Sequence, residues 1–307
     1  MDKGIKEKKR AVANDPGIEP PLYALDFFSA KANDSSFYIE ALKTHLENHK
    51  AVNKAHKHNF YLILYITEGT GEHTIDFESY PVVPGSFYLM TPGQVHSWSL
   101  SPDTDGYIIF FTQGFYRMQA NENSLMEFPF FHSLHPNPHI QLEQDQTVDI
   151  IIDEMHKEFR NSATKPDLRI LRSYLDLLLL KLARGYRSGG EDKAGNSTSA
   201  KLRKLEQLID KHFIKLKLPR EYADMVNLSP SYLNNICKQT LGKTLSQLIT
   251  ERVILEAKRY LAHSDLTVSQ LSDKLNFSSP SYFGRFFRKH TGHTPEAFKE
   301  SLNSVIQ

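Results

Sequence analysis

Cysteine and long apolar runs are scarce in this 307-residue chain, and each scarcity excludes a class of protein. The single cysteine, Cys237, cannot form an intrachain disulfide, which excludes a disulfide-stapled fold. No apolar run approaches membrane-spanning length, and the first ten residues lack the apolar centre of a signal peptide. We therefore expect a cytoplasmic protein without a membrane segment.

Recognisable catalytic motifs are also missing. The sequence shows no nucleophile–base pair, no phosphate-binding glycine loop and no paired-carboxylate arrangement. It therefore predicts no enzymatic activity and no cofactor.

Net charge is close to zero, but the charges are unevenly distributed. Residues 201–307 contain 17 Lys+Arg and 10 Asp+Glu, a net of +7. The first 200 residues hold the other 20 (37 − 17) basic and 26 (36 − 10) acidic residues, a net of −6. A basic C-terminal third suits a nucleic-acid-binding module attached to a different domain.

The basic third contains the same short motif twice, fifty positions apart. Six pairs of positions are identical: Ser229/Ser279, Pro230/Pro280, Ser231/Ser281, Tyr232/Tyr282, Gly242/Gly292 and Thr244/Thr294. Serine is a good N-cap, proline is favoured at the first helical position, and glycine ends helices. Each copy is therefore predicted to form one short helix.

Apolar residues share one side of each predicted helix, for example Leu233, Ile236 and Cys237 in the first copy. The opposite side is polar and free of carboxylates, which suits a helix that enters the major groove. There, Asn pairs with adenine, Arg with guanine, and basic side chains neutralise phosphate. A solvated helix surface is the alternative, and the duplication favours recognition. The residues on the polar sides are Ser231, Asn234, Asn235 and Lys238 in the first copy, and Ser281, Gly284, Arg285, Arg288 and Lys289 in the second.

A short helix is predicted before each copy, which gives two helix-turn-helix units at about 219–241 and 267–291. Capping boxes at Thr267/Gln270 and Thr244/Gln247 mark two helix starts. The helix that begins after Thr244 is long and amphipathic, and it joins the two units. We expect it to fix their separation so that both enter major grooves about one helical turn apart.

Residues 201–307 resemble the DNA-binding domain of AraC/XylS-type transcription regulators, most clearly at Glu251–Leu261 and Ser281–Pro295. The resemblance implies a regulator that binds double-stranded DNA, with RNA polymerase as a further partner. It implies base contacts from Ser231, Asn234, Asn235, Ser281, Tyr282, Gly284 and Arg285.

The chain departs from this family's pattern at three positions. Asn235 stands where Arg is common and Cys237 where Phe is common, so we expect the first unit to bind DNA less strongly. Asn276 replaces the usual turn glycine, which is tolerable because Asn can adopt left-handed backbone angles.

Residues 21–140 have an all-β pattern of short strands separated by turns. Such spacing predicts a jelly roll or small barrel, and the stretch resembles the cupin-type effector domain of many AraC-family members. The predicted strands are Leu22–Phe28, Phe60–Glu68, His73–Phe77, Ser86–Thr91 and Tyr107–Thr112. The motifs that resemble the cupin type are His56–His58, Tyr65–Gly69, Ile75–Phe77, Pro84–Gly85 and Pro92–Trp98.

A small-molecule effector pocket is predicted inside this barrel. In enzymatic cupins a carboxylate follows the histidine pair by four residues, and here Leu62 occupies that position, so we predict no bound metal. Three-histidine metal binding and purely structural histidines remain as alternatives. Tyr and Trp could stack on a sugar-like ligand, although ordinary core packing explains them nearly as well. The pocket candidates are His56, His58, Tyr65, Glu68, His96 and Trp98.

Residues 141–186 are predicted to form two amphipathic helices. Leucines at 168, 171, 175, 178 and 182 repeat with heptad-like spacing, and Leu177, Leu179 and Leu180 add further apolar surface. We expect a homodimer through this segment, since helices at this place form the dimer interface in the family it resembles; packing within the subunit is the alternative. Residues 1–20 are predicted to be a mobile arm and residues 187–200 a flexible linker.

The sequence thus predicts a multidomain α and β protein. An N-terminal cupin or jelly-roll-like β-barrel and a helical dimerisation segment precede a C-terminal all-α domain with two helix-turn-helix units. An effector-responsive transcription regulator is the favoured function. A cupin enzyme with a DNA-binding appendage and an architectural DNA-binding dimer without effector are the competing hypotheses.

Overall fold

A computed structural model describes residues 20–28, 36–117, 125, 128–131, 137–142, 146–160, 165–188 and 196–303. These residues divide into two compact units, and the main boundary between them along the sequence follows residue 191. The predicted arm, residues 1–20, lies outside the described residues apart from Pro20. None of the described helices combines the length and apolar content needed to cross a bilayer.

The described part of the N-terminal unit contains two five-stranded sheets. In hydrogen-bonding order, the first sheet is β1 (Leu22–Tyr23), β3 (His56–His58), β8 (Val95–Leu100), β5 (Gly71–Ile75) and β6 (Glu78–Val82). The second sheet is β10 (His139–Gln141), β7 (Ser86–Met90), β4 (Tyr61–Glu68), β9 (Asp105–Phe111) and β2 (Phe37–Ala41). The predicted barrel is therefore a sandwich whose two sheets are not joined into one closed ladder.

Strand β4 is the centre of this unit because both of its faces are buried. Leu62, Leu64 and Ile66 lie in the core between the two sheets. The alternating residues, including Ile63 and Tyr65, lie in a second core on the outer side of the sheet. An apolar run without polar alternation is the pattern expected of a strand that is covered on both sides.

Several strands differ from those predicted. The predicted strand Leu22–Phe28 contains only the two-residue β1, followed by a short 3-10 helix, because Phe28 turns inward and its ring packs 4.9 Å from that of Phe110. Strands β2, β6 and β10 were not predicted. All three are sheet edges. Pro81 in β6 and the three-residue length of β10 conceal the usual strand pattern, whereas β2 has a strand-like sequence that was not recognised.

Helices α1 (Leu42–Asn48) and α2 (Gln113–Arg117) are short, and α3 (Gln146–Arg160) and α4 (Leu168–Ser188) are long. The two long helices share the outer core with β4, and Phe128, Phe130 and Phe131 also pack there. Leu179, which was predicted to lie outside the main stripe of α4, is also buried in this core. The predicted leucine stripe of α4 is buried at Leu171, Leu175, Leu178 and Leu182, and α3 buries Val148, Ile151, Ile152 and Met155.

The described part of the C-terminal unit is all-helical around one core. Its helices are α5 (Asn196–His212), α6 (Pro219–Met225), α7 (Pro230–Leu241), α8 (Leu245–His263), α9 (Val268–Lys274), α10 (Pro280–Thr291) and α11 (Pro295–Asn303). Because α4 runs to Ser188 and α5 begins at Asn196, helices occupy both ends of the predicted 187–200 linker. Residues 189–195 lie outside the described residues.

Candidate DNA-reading face and histidine pocket

The duplicated motif forms two helices whose ends are fixed by local hydrogen bonds. The Ser229 hydroxyl accepts the backbone N–H of Tyr232 at 3.2 Å, and the Ser279 hydroxyl accepts that of Tyr282 at the same distance. Each helix ends at a glycine with left-handed backbone angles, Gly242 in α7 and Gly292 in α10. The predicted N-caps and C-caps are confirmed at all four ends.

Burial orients both helices with their polar side outward. Leu233 and Cys237 of α7 and Phe283 and Phe287 of α10 are fully buried in the helical core. Burial also raises the pKa of the Cys237 thiol to about 11, so that cysteine is a neutral core residue rather than a reactive one. We name the outward polar side of α7 and α10 the reading face. Its exposed members are Ser231, Asn235 and Lys238 in α7, and Ser281, Tyr282, Arg285, Arg288 and Lys289 in α10.

Two predicted contact residues differ from the rest of the reading face. Asn234 is half-buried, and its side-chain oxygen accepts the backbone N–H of Leu245 at 3.1 Å, so it holds the start of α8. Gly284 is also half-buried, yet a methyl group added there would meet no atom within 4 Å. The backbone of α10 is therefore open to a close approach at Gly284.

Both helix-turn-helix turns contain an asparagine with left-handed backbone angles. Asn276 has φ of 56°, which confirms that it takes the place of the turn glycine. Asn227 has φ of 54° in the corresponding turn of the first unit. Asn227 was not predicted to have this role, although its position two residues before the Ser229 N-cap is a usable signal.

Within the C-terminal unit, polar contacts fix α8 against α5 and join the two helix-turn-helix units. Arg252 of α8 bonds Asp210 of α5 at 2.8 Å, and its guanidinium lies 4.0 Å from the centre of the Phe213 ring. Lys217 donates to the carbonyl oxygens of Ile214 at 2.6 Å and Leu275 at 2.8 Å, so it joins the segment after α5 to the end of α9.

Four histidines and one tryptophan meet in the N-terminal unit. His56 and His58 alternate on β3, His73 is on β5, and His96 and Trp98 alternate on β8. The sheet pairs His56 with His96 and His73 with Trp98. We name these five residues the histidine pocket. All four imidazoles are nearly inaccessible, each at most 3% exposed.

Hydrogen bonds connect three of the imidazoles into a chain. Nε2 of His58 lies 2.8 Å from Nε2 of His96, and Nδ1 of His96 lies 2.9 Å from Nε2 of His73. His56 contacts a backbone group instead, with its Nδ1 2.7 Å from the carbonyl oxygen of Lys54. Nε2 of His56, Nδ1 of His58, Nδ1 of His73 and Nε1 of Trp98 are buried without a hydrogen-bond partner.

The histidine pocket strongly favours neutral imidazoles. Burial lowers the pKa of His56 to about 4 and that of His73 to about 3. Burial, reinforced by repulsion from neighbouring histidines, holds the pKa of His58 and His96 well below the ordinary value. At neutral pH each ring therefore has one nitrogen lone pair. The lone pair of His56 is unpaired, and the hydrogen bonds between the other three rings occupy two of theirs.

Two of the six predicted pocket residues lie elsewhere. Tyr65 is on the opposite face of β4 in the outer core, where its hydroxyl donates to Asp149 of α3 at 2.6 Å and its ring stacks on Phe87. Glu68 is exposed at the end of β4. The structure thus brings His56, His58, His96 and Trp98 together and leaves Tyr65 and Glu68 apart.

His73 belongs to the histidine pocket and was missed by the sequence analysis. A signal was present, because His73 and Ile75 alternate on one strand and therefore share a face. Its proximity to His96 depends on the pairing of β5 with β8, and strand pairing was not predicted.

Comparison with known proteins connects both units to one class of regulator. A helix-turn-helix domain model matches residues 222–301, and an AraC-like ligand-binding domain model matches residues 36–179. The transcriptional activator RhaS of Klebsiella pneumoniae is 25% identical over 292 residues, which covers 93% of this chain and 99% of the relative. The transcriptional activator RhaR of Cronobacter sakazakii is 22% identical over 255 residues, 81% of this chain and 88% of the relative.

Solved structures are similar at lower levels. The C-terminal domain of AraT from Geobacillus stearothermophilus is 27% identical with a TM-score of 0.31, and the match covers 33% of this chain and 84% of that one. ToxT from Vibrio cholerae is 13% identical with a TM-score of 0.44, over 86% of this chain and 98% of that one.

The curated relatives are transcription regulators rather than enzymes. A ligand-binding domain precedes a DNA-binding domain in this chain, in line with the sequence-based prediction. The chain belongs to the AraC family of transcription regulators.

Proposed function

We propose that this regulator activates transcription by inserting α7 and α10 into neighbouring major grooves, under the control of a small molecule bound in the histidine pocket. The observation that carries the proposal is the reading face. Two helices of matching sequence, each buried on its apolar side, present polar and basic side chains without a single carboxylate.

Within the reading face, we assign base recognition and phosphate contact to different residues. Arg285 follows one turn after Ser281, near the helix start that enters the groove first, and Arg can bond guanine through two donors. Arg288 and Lys289 lie in the last turn of α10, where contacts to phosphate are expected. No hydrogen bond or ion pair within the described residues engages these three side chains, so they are free for DNA.

Substitution of the two arginines tests this assignment. A duplex is first selected from a random pool with the purified full chain, and binding is then measured by fluorescence anisotropy over a range of salt. Arg285→Ala should lower affinity for the selected duplex by about 1–3 kcal/mol and relax selectivity at one base position. Arg288→Ala should weaken binding to all duplexes alike and flatten the salt dependence.

A charge control separates these effects from a change in net charge. Lys43→Ala removes an exposed positive charge from α1 of the N-terminal unit, outside the reading face and the two long helices, and should leave DNA binding unchanged. Identical behaviour of the two arginine variants on selected and random duplexes would refute the division of roles. Absence of any duplex preference in the wild-type chain would refute the proposed function itself.

The dimer is also a proposal, and exposed apolar residues on the long helices support it. Ile150 of α3 and Ile170, Leu177 and Leu180 of α4 are between 42% and 60% exposed. Ile170, Leu177 and Leu180 lie along one side of α4, because spacings of seven and three return to nearly the same helical direction. A contiguous apolar surface of this kind is typical of a protein–protein contact, and we assign it to a second copy of the chain.

For the effector, we propose a small polar molecule that contacts His56, His58, His96 and Trp98. The unpaired buried nitrogens of this pocket support the proposal, since buried polar groups normally have partners. A thermal-shift screen with sugars and related metabolites tests it, because a ligand that binds the folded state raises the apparent stability. A compound that stabilises the wild type but not Trp98→Ala is the expected result. Equal stabilisation of both proteins would place the ligand elsewhere.

We further infer a cytoplasmic location and RNA polymerase as a partner. Relatives that are named transcriptional activators support both inferences, since an activator acts at promoter DNA. Reconstituted transcription from a promoter containing the selected duplex should increase when the regulator is added, and unchanged or reduced transcription would contradict activation.

A further inference from the structure

Ligand atoms of three histidines converge in the histidine pocket. One ring nitrogen from each of His56, His58 and His96 lies within 4.8 Å of the other two, and all three side chains are buried. The ring centres are 4.3 Å apart for His56 and His96 and 4.9 Å apart for His58 and His96. Such mutual proximity is unfavourable for charged imidazoles but suits three neutral ligands around one cation.

We propose that His56, His58 and His96 bind one divalent transition-metal ion through their Nε2 atoms. His73 is a positioning residue that holds His96 in the ligating tautomer. The proposal deepens the proposed function and rests on it only for the idea that this pocket is the sensing site.

Hydrogen bonds already fix the required tautomer of two of the three ligands, His56 and His96. His58 donates through Nε2 to Nε2 of His96, so its proton must move to the unpaired Nδ1 before Nε2 can bind the metal. Nδ1 of His56 is occupied by the carbonyl oxygen of Lys54, which accepts only an N–H, so the lone pair must be on the unpaired Nε2. Nδ1 of His96 can donate to Nε2 of His73 in the same way, which leaves its Nε2 free to bind the metal. Histidine ligands of metals commonly donate their other ring N–H to a neighbouring acceptor.

The distance between Nε2 of His58 and Nε2 of His96 is close to the spacing of two ligands on one ion. The two atoms are 2.8 Å apart. Zinc–nitrogen bonds of about 2.0–2.1 Å at tetrahedral angles separate the two nitrogens by about 3.3 Å. An increase of about 0.5 Å (3.3 − 2.8) in this separation therefore admits the ion between His58 and His96.

Donor chemistry selects the class of ion. Three imidazoles without a carboxylate or thiolate suit Zn²⁺ and other first-row transition ions and do not suit Ca²⁺ or Mg²⁺, which require oxygen ligands. Three neutral ligands leave the full charge of +2 uncompensated in a buried site. We therefore expect an oxyanion or hydroxide in the fourth position, which an effector carboxylate could occupy. Trp98, whose ring centre lies 5.1 Å from that of His96, has an unpaired N–H that is available to such an anion.

Zinc binding by the full chain, prepared without an affinity tag and stripped with a chelator, tests the inference. One equivalent of Zn²⁺ per chain should bind in competition with a chromophoric chelator, and binding should raise the unfolding temperature reported by Trp98. His56→Ala and His96→Ala should each lose this equivalent. His139→Gln is the matched control, because it removes a half-buried histidine of β10 outside the cluster and should retain full stoichiometry.

Two variants of His73 distinguish positioning from structural packing. His73→Leu should weaken Zn²⁺ binding by about 10–100-fold. His73→Gln keeps an oxygen that can accept the His96 N–H, so it should restore most of the affinity. Circular dichroism identifies any variant that fails to fold, and absence of Zn²⁺ binding by the folded wild type would refute the proposal without the variants.

Metal binding and duplex binding are measured separately, so each proposal can fail without the other. If the folded wild type binds neither Zn²⁺ nor Ni²⁺ at micromolar concentration, or if His96→Ala binds as well as wild type, the metal site is refuted. Affinity for the selected duplex, measured on the same stripped protein, tests the regulator independently. Loss of duplex preference with zinc binding intact would refute the regulator and leave the metal site standing.

Discussion

Substitution of Gly284 by alanine should change stability and DNA binding in opposite directions. It occupies the middle of α10, where glycine destabilises a helix relative to alanine by about 1 kcal/mol, and an added methyl group meets no atom within 4 Å. Gly284→Ala should therefore raise the free energy of unfolding by up to about 1 kcal/mol. It should also weaken binding to the selected duplex, because the methyl group occupies the space where the groove approaches α10.

Chemical unfolding and anisotropy on the same samples measure the two effects. Ser246→Ala is a suitable control, since Ser246 is exposed in the first turn of α8 and outside the reading face. A Gly284→Ala protein that is more stable and binds the duplex as well as wild type would show that α10 does not approach DNA at this residue.

His45 makes the stability of the N-terminal unit depend on pH. It is 1% exposed beside the hydroxyl of Tyr38, and burial, followed by repulsion from His49 and His56, lowers its pKa to about 3. Below about pH 6.5 the unfolded chain takes up a proton on His45 that the folded chain does not, so stability falls as pH decreases. At pH 5 this one group should have reduced the free energy of unfolding by about 2 kcal/mol relative to pH 7.5.

Urea unfolding of the full chain at pH 5 and pH 7.5 measures the effect. Fluorescence of the single tryptophan, Trp98, reports the N-terminal unit selectively. His45→Gln keeps a polar group beside Tyr38 and cannot protonate, so its loss of stability between the two pH values should be smaller by about 2 kcal/mol. An equal loss in both proteins would show that His45 protonates as easily in the folded state as in the unfolded state.

At the scale of elements, Lys217 determines how the segment after α5 meets the end of α9. Its ammonium group bonds the Ile214 and Leu275 carbonyl oxygens and lies 4.9 Å from the centre of the Phe277 ring. Lys217→Met keeps much of the side-chain volume but leaves these carbonyl groups without their donor. The C-terminal unit should lose about 1–3 kcal/mol of stability. Duplex affinity should also fall, because the second helix-turn-helix is held less firmly against the first.

Lys215→Met is the matched control for this prediction. Lys215 is exposed two residues earlier, and within the described residues its side chain has no hydrogen bond or ion pair. We expect a change within about 0.5 kcal/mol for Lys215→Met, as is usual for a surface position. Thermal unfolding of the full chain, followed by circular dichroism, compares the two variants. A Lys217→Met protein as stable as this control would show that Lys217 contributes little to the junction.

The two units differ in how far the sequence could predict them, and the reason is the range of the interactions involved. Ser279, Pro280 and Gly292 fix α10 through contacts within a few residues, so the motif alone predicts the helix and its polar side. Tyr65 depends on which face of β4 turns inward. Because Leu64, Tyr65 and Ile66 are all apolar or aromatic, no alternation distinguishes the faces, and only the neighbouring strands and α3 do so.

At the scale of the molecule, hydrogen bonds tie the exposed apolar helices to the sandwich. Tyr65 donates to Asp149 at 2.6 Å, Tyr107 to Asp153 at 2.7 Å, and Tyr116 to Asp176 of α4 at 2.5 Å. Burial and the Asp153 carboxylate raise the pKa of Tyr107 to about 12, so this phenol stays protonated and continues to donate. A change in β4 or β9 caused by an effector would therefore be transmitted to α3 and α4, where we propose the dimer contact.

Dimerisation and DNA binding should consequently fail together when the exposed side of α4 is made polar. Leu177→Glu combined with Leu180→Glu places charge on the proposed contact without entering the core, because both side chains are about half exposed. Sedimentation should show a monomer. A monomer makes about half the phosphate contacts of a dimer, so the slope of log affinity against log salt concentration should fall by about half.

Val83→Glu is the control for this double variant, since it also puts a negative charge on an exposed apolar residue of the N-terminal unit, but one that is not part of α3 or α4. Two results would contradict the dimer: a wild-type chain that sediments as a monomer, or a double variant that keeps both its mass and its salt slope. A double variant that becomes monomeric but keeps the full slope would locate the dimer on α4 while showing that one copy makes all the phosphate contacts. The salt slope therefore tests whether two copies act on one operator, which sedimentation alone cannot decide.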